Sequence, residues 1–351
     1  MNPEKYLIPG RAMVLEALAR LNDLSGGAMT LFVVDSDGCV RGSLTDGDVR
    51  RALLAGMQLE CTVDRAAQHD FRFLQAGKPD VELIRDCRKR GLRLLPELNA
   101  DGTLRRIINL DHTSNLLPMG AILMAGGRGE RLRPQTLATP KPLLQIEGKA
   151  IIDYNIEALA AVGIDDITVT TRYLAEQLDD HFATPVAGVN VRTVREDRPL
   201  GTIGAVSLID LPPAGCTLVM NSDLLTTISF EDLYIHHRKS EAAVTIATVP
   251  YQVSVPFAIL TTEGDRVTGL EEKPSYAYFA NAGIYIFENR ILRSVDSDRP
   301  TDAPDLIASA IARGEKVSYF PINGTWLDVG TPADFAQASE LMRHHINFSR
   351  R

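Results

Sequence analysis

The chain has 351 residues, 45% hydrophobic and 23% charged, with 37 Lys and Arg against 45 Asp and Glu for a formal net charge of −8. That length suggests about two domains with a sizeable core, and the acidic balance argues against a protein that grips nucleic acid or an anionic membrane by general basicity. Any phosphate ligand must meet cations gathered locally. No apolar run is long enough to span a bilayer, and Met1-Asn2-Pro3-Glu4-Lys5 lacks the basic-then-apolar pattern of a signal peptide. Cys39, Cys61, Cys87 and Cys216 are scattered with no Cys-x-x-Cys pair, which predicts small buried hydrophobes in a reducing, cytoplasmic setting rather than disulfides or a zinc site.

In chain order, a helical pattern from Ala12 to Leu21 precedes the apolar run Leu31-Phe32-Val33-Val34, an Asp-Gly turn at Asp37-Gly38, and a second strand over 40–44. The same order recurs: helical pattern Val81 to Arg90, strand over 95–98, Asp101-Gly102, strand over 104–108. A period of about 60 residues in two copies predicts paired βαββα modules packed face to face. In the first copy Thr45 and Asp48 open the next helix, as a cap that satisfies orphan N–H groups or as contacts to a ligand; both readings stand on the residues alone. In the second copy Asn109 and His112 take their places. The polar stretch 111–115 followed by Pro118 marks a boundary, giving domains 1–118 and 119–351.

Beyond it, the buried strand Ala121-Ile122-Leu123-Met124 runs into Ala125-Gly126-Gly127-Arg128-Gly129-Glu130-Arg131, and Lys141 follows in Thr139-Pro140-Lys141-Pro142-Leu143. Glycines without a Cβ allow a tight turn and close approach, their N–H groups form an anion-binding concavity, and Arg128, Arg131 and Lys141 add positive charge. This is neither a Walker A loop nor a Gly-x-Gly-x-x-Gly fingerprint. Short apolar runs over 167–170, 218–220, 243–246 and 284–287 alternate with helical patterns, predicting an α/β fold with a mainly parallel mixed sheet covered on both faces, its ligands at the carboxyl ends of the strands. Asp223 closes one such strand, and Asp328 follows Trp326-Leu327 near the C-terminus. His236-His237 and His344-His345 have no third partner at metal-site spacing, and Arg50-Arg51 and Arg88-Lys89-Arg90 read as solvated helix faces.

The string G-G-x-G-x-R-L-x-P-x-T followed by T-P-K-P-L resembles the signature of the sugar-1-phosphate nucleotidyltransferases, whose Rossmann-like (GT-A-like) fold it implies. That resemblance implies a nucleotide site at Ala125, Gly126, Gly127, Arg128 and Gly129. Arg131 and Lys141 would hold the triphosphate. Pro199-Leu200-Gly201-Thr202-Ile203-Gly204-Ala205 resembles P-L-G-T-A-G-A, where Gly201 and Thr202 would meet the base. Asp223, in Asn221-Ser222-Asp223 where the family more usually has Asn-Gly-Asp, and Asp328, in Trp326-Leu327-Asp328-Val329-Gly330-Thr331-Pro332, would hold Mg²⁺. Glu272-Lys273-Pro274 resembles E-K-P, with Lys273 on the sugar phosphate and Glu272 on the sugar, and Asn281-Ala282-Gly283 resembles N-A-G, with Asn281 beside the sugar. The reaction implied is in-line attack of a sugar-1-phosphate oxygen on the α-phosphorus of an NTP, with pyrophosphate leaving. It needs alignment and charge neutralisation rather than an activated Ser, Cys or His.

Gly42, Thr45 and Asp48 match the G-x-x-T/S-x-x-D pattern of the cystathionine-β-synthase (CBS) domain, which implies a regulatory or dimerising pair over 1–118 with an adenosyl nucleotide at Thr45 and Asp48 and a homo-oligomer as the working form. The T-L-A-T-P-K-P-L loop together with a CBS pair most resembles guanylyltransferases, first those that use glucosamine 1-phosphate in nonulosonate (legionaminic acid) biosynthesis and next those that use mannose 1-phosphate. Uridylyl or thymidylyl transfer is the alternative within the class. An adenosyl-nucleotide sensor is the alternative outside it.

Overall fold

The structure, a computed structural model, describes residues 3–113 and 115–349, with side chains as far as Arg343, so the His344-His345 pair lies outside the described side chains. The chain divides into two compact units, Met1–Pro118 with Ala161–Gly163, and Met119–Ala160 with Ile164–Arg351.

In the first unit, strand Leu7–Pro9 pairs in parallel with Thr30–Val34, which pairs antiparallel with Val40–Thr45. Helix Val14–Asp23 turns Val14, Ala17 and Leu21 inward, one stripe at helical spacing, onto Ile8, Leu31, Val33 and Leu44. The second half repeats the plan. Leu74–Gln75 runs parallel to Leu94–Leu98, which is antiparallel to Leu104–Asn109, and helix Val81–Lys89 packs Ile84 and Cys87 with Leu95 and Ile108.

The halves differ at their ends. The first closes with helix Asp46–Leu54, started by a reciprocal capping box between Thr45 and Asp48. Among the described residues the expected second βαββα module has no last helix: the Asn109 side chain accepts from Asp111 N–H at 2.9 Å, and the Asn109 carbonyl accepts from Thr113 N–H at 3.0 Å. A tight Asx-type turn takes the place of a cap.

The second unit is built on a seven-stranded sheet in the order Arg192–Arg195, Ile167–Thr171, Gly120–Met124, Cys216–Asn221, Ser275–Glu288, Val244–Ser254, Val317–Pro321. All its neighbours pair in parallel except the Ser275–Glu288 strand, antiparallel to both of its partners. Both faces of the central strands are covered: Ile167–Thr171 is buried throughout and Cys216–Asn221 as far as Met220, their threonines included. Ile122, Val219, Val244, Tyr285 and Phe287 pack with Leu306, Ile307 and Ala310 of helix Ala303–Ala312. No described helix is long and apolar enough to cross a membrane.

One departure from expectation concerns strand length. Val244–Ser254 and Ser275–Glu288 run on past the sheet as a two-stranded arm, pairing from Thr248↔Asn281 to Ser254↔Ser275. A further antiparallel pair, Ile259–Glu263 with Arg266–Glu271, follows it. Tyr251, Phe257, Leu270, Tyr278 and Phe279 are exposed there.

Candidate functional site

The parallel strands Gly120–Met124 and Cys216–Asn221 end side by side, with Met124 opposite Asn221. Loops leaving that edge build the site, as expected for a sheet of this kind. Ser222 ties the two loops together. Its hydroxyl donates to the Met124 carbonyl at 2.7 Å, and its N–H reaches the same oxygen at 3.3 Å. The serine that stands where the resemblance has glycine thus anchors the residue before Asp223 to the start of the glycine loop.

Within that loop Gly129 has φ +58°, and a Cβ there would fall 2.9 Å from Thr136 Cγ2 and 3.1 Å from Lys141 Cβ. The Thr136 hydroxyl donates to the Gly129 carbonyl at 2.8 Å. Only a residue with no side chain lets the loop double back this closely on Lys141.

Asp223 and Asp328 are separated by over 100 residues of chain, and a short ladder joins them. Leu224–Thr226 pairs antiparallel with Trp326–Asp328, with Leu224 opposite Asp328, and Val329 N–H donates to the Asp223 carbonyl at 3.1 Å. Lys141, only 9% exposed, sits between the two carboxylates. Its ammonium donates to Asp223 Oδ2 and lies 3.5 Å from Asp328 Oδ1. Asp223 Oδ1 is buried with no hydrogen-bond partner. Burial pushes the Asp328 carboxyl above the usual range and the negative Asp223 adds to it, with Lys141 and Arg131 opposing.

A cavity of about 410 Å³ opens on these groups, lined by Ala125, Gly127, Gly129 and Arg131 on one side and Lys141, Asp223 and Gly330 on another. Lys141 and Asp223 line this cavity, Asp223 carries a buried oxygen with no partner, and Asp328 lies on the far side of the Lys141 ammonium; two carboxylates so placed suit a hard divalent ion that takes its remaining ligands from phosphate and water. Among the described residues no cluster of three or more His, Cys, Asp and Glu forms a metal cage. The two discounted histidines of helix Phe230–Lys239 are structural, His236 bonded to Ser318 Oγ at 2.9 Å and His237 to Thr245 Oγ1 at 2.8 Å. Cys216 is buried and its thiol is pushed up to about 12, which leaves it inert.

The other residues singled out from sequence are disposed differently. Arg128 is exposed and does not line the cavity. Gly126 faces Glu196, whose Oε1 lies 2.8 Å from where a Cβ would be, while Glu196 Oε2 accepts from Leu200 N–H at 3.2 Å. Glu196 is 6% exposed and its carboxyl is raised by burial. It was not singled out from sequence; an acidic residue before a Pro-Leu-Gly turn reads as surface until the fold folds it under the loop. Gly201 is pressed against the Thr301 carbonyl, and Thr202 exchanges hydrogen bonds with the next helix: Asp302 Oδ1 accepts from Thr202 N–H at 2.8 Å and Thr202 Oγ1 accepts from Ala303 N–H at 2.9 Å. Ile203, where the resemblance has alanine, is fully buried in the main core. Asn281 donates to the Tyr285 hydroxyl at 2.8 Å and accepts from Gly283 N–H. Glu272 and Lys273 occupy an exposed turn on the arm, Lys273 with φ +46°, and neither lines the cavity.

In the N-terminal unit both Asp48 oxygens are engaged, Oδ2 by Thr45 N–H and hydroxyl, Oδ1 by Arg51 and Gln68. Burial alone would raise this carboxyl; the bonds from Thr45, Arg51 and Gln68 outweigh it and hold it below the usual range. Thr45 lines a separate cavity of about 440 Å³ with Phe71, Arg72, Arg90 and Arg93.

Comparison with known proteins places the second unit in a family. The chain is 32% identical over 233 residues to "Mannose-1-phosphate guanyltransferase" of Gibberella zeae, and 32% identical over 233 residues to "Mannose-1-phosphate guanylyltransferase catalytic subunit beta" of Dictyostelium discoideum, each match covering 64% of this chain and 64% of the relative. The chain therefore spans less than two thirds of the length of these curated relatives. The crystal structure of HddC from Yersinia pseudotuberculosis superposes with a TM-score of 0.50 at 23% identity, covering 64% of this chain and 99% of that one, a likeness of fold. The family model described as nucleotidyl transferase matches residues 120–345, which takes in the glycine loop, Lys141 and both aspartates; the chain belongs to the nucleotidyl transferase family.

Proposed function

We propose that the chain transfers a nucleoside monophosphate from an NTP to a sugar 1-phosphate, giving an NDP-sugar and pyrophosphate. The observation that carries this is Lys141 held between Asp223 and Asp328 at the mouth of a glycine-loop cavity. The loop N–H groups and Arg131 would bind the triphosphate, and the Lys141 ammonium would swing onto it. Asp223 and Asp328 would hold Mg²⁺, which supplies charge neutralisation to the phosphates when bound. The nucleophile is already anionic at neutral pH, so the chain's task is to align two phosphates and stabilise developing charge on the pyrophosphate. A cavity of about 410 Å³ suits a nucleotide.

For the base we infer guanine, supported by the names of the relatives and by the T-L-A-T-P-K-P-L loop. For the sugar, those names favour mannose 1-phosphate, while glucosamine 1-phosphate rests on the combination of this loop with a CBS-like pair. The N-terminal repeat reads as that regulatory pair, with an adenosyl nucleotide in the cavity at Thr45, where Phe71 offers a ring and Arg72, Arg90 and Arg93 offer positive charge.

The test is pyrophosphate release with Mg²⁺, crossing GTP, UTP, TTP, CTP and ATP with mannose, glucosamine and N-acetylglucosamine 1-phosphates, each with and without AMP. Turnover with GTP and one sugar supports the reading and fixes that sugar. Turnover only with UTP or TTP overturns the base. Silence across the grid, with every protein sample folded, overturns the proposed reaction for these substrates.

A further inference from the structure

The position of Lys141 carries a consequence for the order in which ligands enter. Its ammonium occupies the space between the two carboxylates that would otherwise hold a cation, and it contacts both. The backbone beneath it is held fast: Pro140 and Pro142 flank it in a 3₁₀ turn, and its Cβ lies against Gly129. Only rotation of its methylene stem can carry the ammonium off the two carboxylates, and the cavity that Lys141 lines also holds Arg131 and the glycine loop.

We propose that Lys141 is the resident counter-ion of the aspartate pair, and that a divalent metal gains this site only as a nucleotide triphosphate draws the ammonium away. In the free protein one positive charge already offsets the carboxylates, so a metal arriving alone must either displace Lys141 into the cavity without an anion to receive it, or sit beside it against charge repulsion. A triphosphate in the loop removes that obstacle by accepting the ammonium. Metal and nucleotide therefore bind with mutual enhancement, each raising the affinity of the other by the same factor. Asp223 Oδ1, buried and without a partner, is the acceptor left waiting for the incoming ion. The inference rests on reading this cavity as the NTP site.

Mn²⁺ binding to the intact chain, followed by the electron paramagnetic resonance signal of free ion, tests it without turnover. Wild type should bind Mn²⁺ weakly alone and about 10- to 100-fold more tightly with a non-hydrolysable GTP analogue, after subtraction of the Mn²⁺ that the analogue holds in a protein-free sample. Lys141→Met should bind Mn²⁺ alone more tightly than wild type by a similar factor, and adding Asp223→Asn to it should abolish that gain. Lys141→Gln repeats the measurement with a polar side chain, and circular dichroism confirms that each variant is folded. If Mn²⁺ binding depends on Asp223 but is equally tight in wild type and both Lys141 variants without nucleotide, the counter-ion role is refuted while the site reading stands. If no form binds Mn²⁺ in a way that depends on Asp223, even with the analogue, both fall.

Discussion

Asp223→Asn removes one unit of charge and almost no volume, which isolates electrostatics from packing. The side chain is 21% exposed, and the side chain of its partner Lys141 11%, so the pair sits in a partly desolvated cavity rather than in free solvent. At a separation of about 4 Å and an effective dielectric near 20, a unit charge is worth about 4 kcal/mol. If that interaction is fully expressed when the phosphates and their cation are aligned, kcat/KM falls by about 10³, since each 1.36 kcal/mol is tenfold. Folding should be little affected. Lys141 keeps Asp328, and the repulsion that helps raise the Asp328 carboxyl disappears, so the thermal midpoint should move by no more than about 2–4 °C, the equivalent of roughly 1 kcal/mol. Pyrophosphate release under saturating sugar phosphate, with NTP varied, gives kcat and KM separately. A folded Asp223→Asn protein within tenfold of wild-type kcat/KM would refute the assignment.

Three further substitutions probe how the scaffold holds this site. Glu196→Gln preserves an acceptor for Leu200 N–H while removing a carboxyl whose pKa is raised by burial. The stabilising share of that group is complete below its ordinary pKa and is lost as pH rises through the raised folded value, so the variant's melting temperature should gain on wild type from pH 4 to pH 8; a pH-independent difference would count against a buried, desolvated carboxyl. Gly129→Ala places a Cβ at positive φ beside Thr136 and Lys141; urea unfolding should show a loss of at least about 1–2 kcal/mol, and unchanged stability would mean the loop has another conformation. Ser222→Ala deletes the 2.7 Å hydroxyl bond to the Met124 carbonyl, worth about 1 kcal/mol, and should lower kcat more than it raises KM, because Asp223 follows directly; an effect on neither would show that the tie does not position it.

Much of the second unit was legible because its signals are local. Val, Ile and Leu runs mark buried strands wherever they occur, and a glycine loop after one of them points to phosphate chemistry by its backbone alone. The meeting of Asp223 with Asp328 was not legible from pattern. The strands that join them, Leu224–Thr226 and Trp326–Asp328, have three residues each, too short for any period to register, and their register is a tertiary fact. The same holds for Glu196, whose burial beneath Gly126 comes from the return of a loop rather than from its neighbours in sequence. In the N-terminal unit the duplication was legible from the two Asp-Gly turns, yet among the described residues the second copy has no last helix, and the two copies differ in one local contest: Asn109 spends its side chain on Asp111 N–H, whereas Thr45 and Asp48 spend theirs on each other.

That contrast bears on what Thr45 and Asp48 are for. A capping box accounts for one Asp48 oxygen, and Arg51 with Gln68 accounts for the other, so every acceptor on this carboxylate is satisfied without a ligand. An incoming ribose would have to replace Arg51 or Gln68, and Arg51 is the replaceable one, being 69% exposed on its side chain, where such a pair contributes little to stability. The proposed nucleotide site follows the same logic with the stakes reversed. There the internal cation, Lys141, is buried, it and Asp223 line a cavity, and one Asp223 acceptor is left unsatisfied. Of the two acidic sites in this chain, the one whose internal bonding is complete reads as a structural cap that a ligand can borrow, and the one whose bonding is incomplete reads as machinery awaiting its substrate.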